Sequence, residues 1–259
     1  MSFEFIILGC GSSMGVPRPD GFFGNCDPKE KKNYRTRCSA LIKSPKENIL
    51  IDTSPDLRSQ LINNRIKNID RVLYSHLHGD QTHGINDLRI FYLKNKKATP
   101  IYADKETSKY LKKTFSYCFK NNPTIPKSLS YPATLKINLL KKKHTFSDIF
   151  IESIPVNHGN IDSMSFIINK KCAYASDVKL IYKKNINSFK NLKYLVIDCL
   201  RYITHPSHYN LDEVLSLIKF LKPQKTVLTN MHTDIDYKTL SKKLPKNVVL
   251  AYDGMKILV

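Results

Sequence analysis

Apolar residues recur along the chain in short blocks of four to eight, separated by polar turns. Such blocks are rich in Ile, Val, Leu, Phe and Tyr, as strands buried on both faces are. They predict strands over 3–8, 39–43, 48–52, 71–75, 100–103, 149–156, 164–169, 172–176, 194–198, 225–230 and 247–252. Between them, apolar positions three or four apart predict helices over 55–65, 83–94, 105–120, 179–190, 210–221 and 236–244. The helix over 210–221 has the clearest boundaries. Asn210 can cap it, Glu213 stands at the capping-box position, and Pro223 lies just beyond its end.

Strands outnumber helices, and several early strands follow one another at hairpin spacing. This predicts an α/β protein whose sheets are at least partly antiparallel and covered by helices. No linker, repeat or low-complexity tract interrupts the pattern, so residues 1–259 are expected to form a single domain. The turn Gly9-Cys10-Gly11-Ser12-Ser13 follows the first strand. Pro17 and Pro19 follow it in place of a helix, which argues against a dinucleotide site and for a tight turn. Residues 14–38 then read as a long loop, the kind that carries function.

Composition changes the picture only modestly. The 42 basic and 22 acidic residues give a net charge of +20. Of the basic residues 34 are Lys and 8 are Arg, and the lysines are scattered in pairs and triplets such as Lys141-Lys142-Lys143. Arg is the residue of bidentate phosphate and base recognition, so this balance does not favour a dedicated nucleic-acid face. It does favour anionic small substrates. No apolar run reaches the length of a membrane span, and no membrane association is expected. Six cysteines without a C-x-x-C pair, several of them in strand-like runs, fit a reducing compartment. Together with an N-terminus that lacks a signal-peptide pattern, this predicts a cytoplasmic protein.

The chemistry is concentrated in the histidines, seven of which fall in four short motifs. The densest is His76-Leu77-His78-Gly79-Asp80-Gln81-Thr82-His83, directly after the strand over 71–75. Two imidazoles one residue apart, with a carboxylate two further on, can converge on one cation. Such donors suit zinc, manganese or iron. His158 and Asp177 stand at the ends of two later strands. His205 and His208 precede the capped helix, and Asn230-Met231-His232 follows the strand over 225–230.

These motifs resemble the metallo-β-lactamase superfamily. The matching segments are GCGSSMGVPRP near the start, LIDTSPDLRSQL, HLHGDQTHGINDLR, VNHG, YASDV and IDCLRYITHPSHYNLDEVL. Within the superfamily the chain resembles the branch of the cyclic-phosphate phosphodiesterase of phosphonate breakdown and, more distantly, tRNase Z. The resemblance implies an αββα sandwich with one or two divalent metal ions, manganese or zinc, at one edge. It implies that His76, His78 and His158 bind a first metal, that Asp177 bridges, and that Asp80 binds a second. Metal-bound hydroxide would then attack phosphorus in a small cyclic or nucleotide phosphate. His208 matches a proton-donating position and would protonate the leaving oxygen. Arg201 and Arg89 are weaker candidates for phosphate contacts.

Three departures accompany the resemblance. Gln81 and Asn230 replace two imidazoles of the second metal position, leaving His232 as the nearest substitute and His83 as a spare. Only Cys26 remains near the place of the family's clustered cysteines, with Cys38 eleven intervening residues away, so no structural zinc is expected. No basic or Gly-rich insertion offers an RNA-gripping arm, which separates the chain from tRNase Z. A nuclease acting on RNA and a nucleotide-binding protein with a degraded metal site are the alternative functions.

Overall fold

The computed structural model describes residues 2–120 and 132–259. The first sheet contains β1 (Glu4–Gly9), β2 (Ser39–Lys43), β3 (Asn48–Ile51), β4 (Arg71–Leu73), β5 (Thr99–Ala103) and β6 (Leu135–Leu139). The second contains β7 (Lys143–Phe146), β8 (Ile149–His158), β9 (Ile161–Ile168), β10 (Cys172–Ala175), β11 (Tyr194–Asp198), β12 (Lys225–Thr229) and β13 (Val248–Leu250). The last strand, β14 (Met255–Leu258), returns to the first sheet beside β1.

Both sheets are mixed in the same way. Antiparallel pairing joins β14-β1-β2-β3 and β7-β8-β9-β10, and parallel pairing continues through β4-β5-β6 and β11-β12-β13. The helices are α1 (Leu57–Asn63), α2 (Gly79–Thr82), α3 (Arg89–Asn95), α4 (Lys105–Thr114), α5 (Leu211–Leu221) and α6 (Tyr237–Ser241).

Side-chain alternation explains the layers. On β1, Phe5 and Ile7 join one buried cluster while Ile6 and Leu8 join another. The same division separates Ala40 and Ile42 from Leu41 on β2, and Ile49 and Ile51 from Leu50 on β3. One set packs against the second sheet, with Ile151, Phe166 and Val196. The other packs under Leu57 and Leu61 of α1, Phe91 of α3 and Leu111 of α4. Val214, Ile218 and Leu221 of α5 and Leu240 of α6 belong to the second sheet's side of the core. The chain is therefore an αββα sandwich, and its strands are apolar on both faces because both faces are covered.

Several predicted elements differ in extent. The helix predicted over 83–94 is a 3-10 turn at Ile85–Leu88 running into α3, and the one over 105–120 ends at Thr114 before another such turn. The segment predicted as a helix over 179–190 is 3-10 from Lys183 to Phe189. The capping box at Asn210 and Glu213 is present, with both reciprocal hydrogen bonds. Among the described residues no helix is long and apolar enough to cross a membrane.

Candidate metal centre

The site forms where strands of both sheets end. Asp52 follows β3, Ser75 and His76 follow β4, and His158 ends β8. Ser176 and Asp177 follow β10, Asp198 ends β11, and Asn230 follows β12. Carboxyl ends of parallel strands are where open α/β sheets place ligands. Gly11 ties this edge together through isolated bridges to Arg37 and to Met231. Asp52 and Asn230, one in each half, hold left-handed backbone at φ 61°. Asp and Asn tolerate that region better than other side chains, and such strain gathers at functional sites.

The histidine loop is pinned from beneath. Thr53 N donates to Gln81 O at 2.7 Å, and Gly84 N donates to Thr53 O at 2.9 Å. Asp52 Oδ1 accepts from Ser75 N at 2.7 Å. A Cβ on Gly84 would collide with the Ser54 carbonyl, so only glycine lets the loop lie this close.

Three imidazoles then meet. His76 and His158 are buried, and one ring nitrogen from each of His76, His78 and His158 lies within 4.8 Å of the others. His76 Nε2 and His78 Nδ1 are 2.9 Å apart. Their outer nitrogens are oriented: Ser75 Oγ is 3.0 Å from His76 Nδ1, and Ser207 O accepts from His158 Nδ1 at 2.8 Å. The second contact leaves the His158 Nε2 lone pair free for a cation. Burial pushes His76 down to about 3 and lowers His78 as well, so both are neutral near pH 7. Neutral, converging imidazoles are the donor set a divalent transition metal takes.

His158, Asp177 and His208 form an overlapping group, again with donor atoms within 4.8 Å. Burial pushes the Asp177 carboxyl up, but His76, His158 and His208 outweigh it and hold it below the usual carboxylate range. Asp80, in the first turn of α2, is raised to about 6, by burial and then by the charge of Asp177. Both amides face Asp177. Gln81 Nε2 and Asn230 Nδ2 each donate to it at 3.3 Å, and Asn230 also donates to Ser176 O at 2.8 Å. Gln81 Oε1 is buried without a hydrogen-bond partner, an acceptor poised for a cation or a donor.

Other predicted residues fall elsewhere. His232, expected as a substitute ligand, stands outside both groups in this structure. Met231 N donates to Cys10 O and His232 N to Leu200 O. His232 Nδ1 lies 3.2 Å from Asp234. His83 pairs with the Tyr110 hydroxyl at 3.1 Å, away from the cluster. Arg201 Nη2 donates to Thr204 O at 3.2 Å. Cys26 packs beside the buried Arg35, whose guanidinium donates to Ile235 O and Asn33 Oδ1.

Sequence reasoning missed Asp198. It reads as the last residue of the apolar strand over 194–198, yet its Oδ2 lies 2.6 Å from His208 Nδ1. Burial pushes Asp198 up to about 6. Burial alone would lower His208, but Asp198 overrides it and holds the imidazole up at about 9. Ser207 was also missed, because it acts through its backbone carbonyl.

Comparison with known proteins agrees with this architecture. Residues 47–231 match the family described as "Beta-lactamase superfamily domain", and the chain belongs to that family. The chain is similar to a crystal structure of a new diphosphatase from the PhnP family, with 27% identity and a TM-score of 0.89 over 100% of this chain and 98% of that one. Zinc-bound PqqB from Methylobacterium extorquens superposes at a TM-score of 0.73 with 15% identity, over 98% of this chain and 99% of that one. The short form of human tRNase Z does so at 0.68 with 16% identity, over 98% of each chain. The last two likenesses show the fold alone. A Porphyromonas gingivalis protein named octanoyltransferase is 30% identical over 98% of this chain. The chain spans about half, 51%, of that relative's length.

Proposed function

We propose that this protein is a metal-dependent phosphodiesterase that hydrolyses a small cyclic or nucleotide phosphate. The observation that carries the reading is the convergence of His76, His78 and His158 beside Asp177. His76, His78, His158 and Asp177 would hold the first cation, and Asp80 with Asp177 a second. A divalent metal bound there supplies Lewis acidity toward a phosphoryl oxygen and makes water a better nucleophile.

The chain's own residues do the rest. The Ser207 carbonyl fixes the tautomer and ring orientation of His158, and Ser75 orients the ring of His76. Asp198 favours the protonated form of His208, whose ring lies beside His158 and Asp177. From there His208 would give a proton to the departing oxygen. Its ring centroid is 4.7 Å from that of His158, close enough for one substrate to meet both.

The same chemistry breaks a phosphoanhydride. The likeness to a diphosphatase supports a second reading in which a nucleotide pyrophosphate is the substrate. Acyl transfer has less support, since all six cysteines are buried and unpaired with one another, and burial pushes Cys172 up to about 12.

The test is turnover of cyclic nucleotides and nucleoside diphosphate derivatives by protein stripped of metal and reloaded with zinc or manganese. Metal-dependent release of a phosphomonoester is the expected result. No turnover of either class in protein that has bound metal would overturn the reading.

A further inference from the structure

A pocket of about 520 Å³ adjoins the metal centre on the side of His76, between the start of α4 and the β8–β9 hairpin. Its volume is that of an ordinary small-molecule site. Its surface is mostly apolar, and Leu77, Ile161 and Met164 supply the floor. The rim has an unusual sign. Among the described residues, Asp104, Glu106 and Asp162 bring three carboxylates against one cation, Lys105, in a protein whose net charge is +20.

That sign decides what the pocket can hold. A second phosphate would meet repulsion from three carboxylates and gain little from an apolar floor. A flat, uncharged group with hydrogen-bond donors at its edge would gain from both. Two of the carboxylates are already committed. Asp104 caps α4 by accepting from Thr107 N and Oγ1, and Asp162 accepts from the Tyr182 hydroxyl. Glu106 is exposed at the mouth and able to accept from a ligand.

We infer that this pocket receives the base of a nucleoside phosphate, with the base on Leu77, Ile161 and Met164 and its exocyclic amino group toward Glu106. The inference rests on the hydrolase reading and names the substrate class of that same site. His76 lines the pocket and also belongs to the histidine cluster, so the two spaces share that ring as a wall. Amino-bearing bases are preferred over uracil, because uracil presents carbonyl oxygens where adenine or cytosine presents an amine.

The experiment compares kcat/KM for adenosine 2′,3′-cyclic phosphate, uridine 2′,3′-cyclic phosphate and glycerol 1,2-cyclic phosphate in metal-loaded protein. The adenosine substrate should exceed the base-free one by at least tenfold, mostly through KM, and the uridine one should lie between. Ile161→Ser should cut the adenosine-to-glycerol ratio several-fold. Glu106→Lys, a surface change that leaves packing alone, should erase the adenosine-to-uridine preference. Equal turnover of all three, or ratios that neither substitution moves, would overturn the pocket assignment while leaving the hydrolase reading intact. No turnover of any of them, with nucleoside diphosphate derivatives cleaved, would overturn the cyclic-phosphate assignment, and equal cleavage of a base-free pyrophosphate would then overturn the pocket inference as well.

Discussion

His208 Nδ1 lies 2.6 Å from Asp198 Oδ2, and Asp198 is fully buried at the end of β11. The carboxylate engages the imidazole at Nδ1, and its charge raises His208 to about 9. Val178 N also donates to Asp198 Oδ2, at 3.0 Å, so the backbone after Asp177 holds the pair in place. Asp198 touches no space a substrate can reach and is a positioning residue.

A division of effects follows between substrates. His208→Gln should lower kcat by about 10²-fold or more on a substrate with an alkoxide leaving group. The loss should shrink sharply with a 4-nitrophenyl ester, whose leaving group needs no proton. Asp198→Asn should show the same leaving-group dependence, more weakly. Parallel kinetics on the two ester types would check this, and equal losses on both would remove His208 from proton donation.

The proposed first metal position includes His78, the more exposed of the three imidazoles. His78→Ala should lose the tightly held metal, read by elemental analysis of dialysed protein. Far-ultraviolet dichroism should be unchanged, since the fold rests on the two buried clusters and not on this side chain. Full metal content in His78→Ala would show that the cluster is not the binding site.

Much of this architecture was legible along the chain, and the misses share a cause. The strands from β1 to β5 are covered on both faces, so they read as apolar runs. The strands β6, β7 and β14 carry LKINL, KHTF and MKIL, and each stands at or beside a sheet edge. Edge strands accept lysine because it discourages further pairing, and that same lysine hides them from a hydrophobicity pattern. Site residues divide likewise. His76, His78 and His158 are visible by residue type and motif. The inward face of Asp198 and the carbonyl of Ser207 exist only once β11 and the following loop are folded. Asn230 and His232 show the limit of counting positions, because chain direction after β12 sends one side chain in and the other out.

Gly84 should be irreplaceable for metal binding although it ligates nothing. A methyl group there meets the Ser54 carbonyl, and the Gly84 N–H bond to Thr53 O fixes the loop that carries the histidines. Gly84→Ala should destabilise the protein by about 1–3 kcal/mol, as overpacking does, and weaken metal affinity with it. Denaturant unfolding with and without metal measures both effects. An unchanged midpoint in the metal-free protein would show that the loop relaxes freely.

Acid stability should depend on Asp236. Its carboxylate caps α6 through Thr239 N at 2.8 Å and accepts from Asn33 Nδ2 at 2.7 Å and Asp27 N at 3.2 Å. Burial would push the group up, but these hydrogen bonds pull it from 3.8 down to about 2. A depressed folded pKa means that the stabilisation is present above 3.8 and is lost as pH falls toward 2. The shift corresponds to about 2 kcal/mol. Asp236→Ala should therefore lower stability by about that amount at pH 7 and by much less near pH 2. Urea unfolding at the two pH values decides it. An equal difference at both would assign the effect to packing.

The proposed second cation position is flanked by two amides, Gln81 and Asn230. Gln81 and Asn230 turn amide nitrogens toward Asp177, so both donate to the carboxylate that a second cation would need. A cation entering beside Asp80 and Asp177 must displace those donors or rotate the amides to offer oxygen. Gln81 Oε1 is buried and unpartnered, and rotation would satisfy it. The resulting donors are oxygens, which favour manganese or magnesium over zinc. One tight and one exchangeable metal are thus expected, with activity rising on manganese addition. Gln81→His should supply an imidazole and tighten the weak position by tenfold or more toward zinc. His232→Ala should leave it unchanged, because His232 faces Asp234. Calorimetric titration of metal-free protein reads both affinities without any assay of turnover. Two equally tight sites in the unmodified chain would show that the amides ligate as well as imidazoles do here. A loss of the weak site in His232→Ala would show that the loop after β12 rearranges when metal binds.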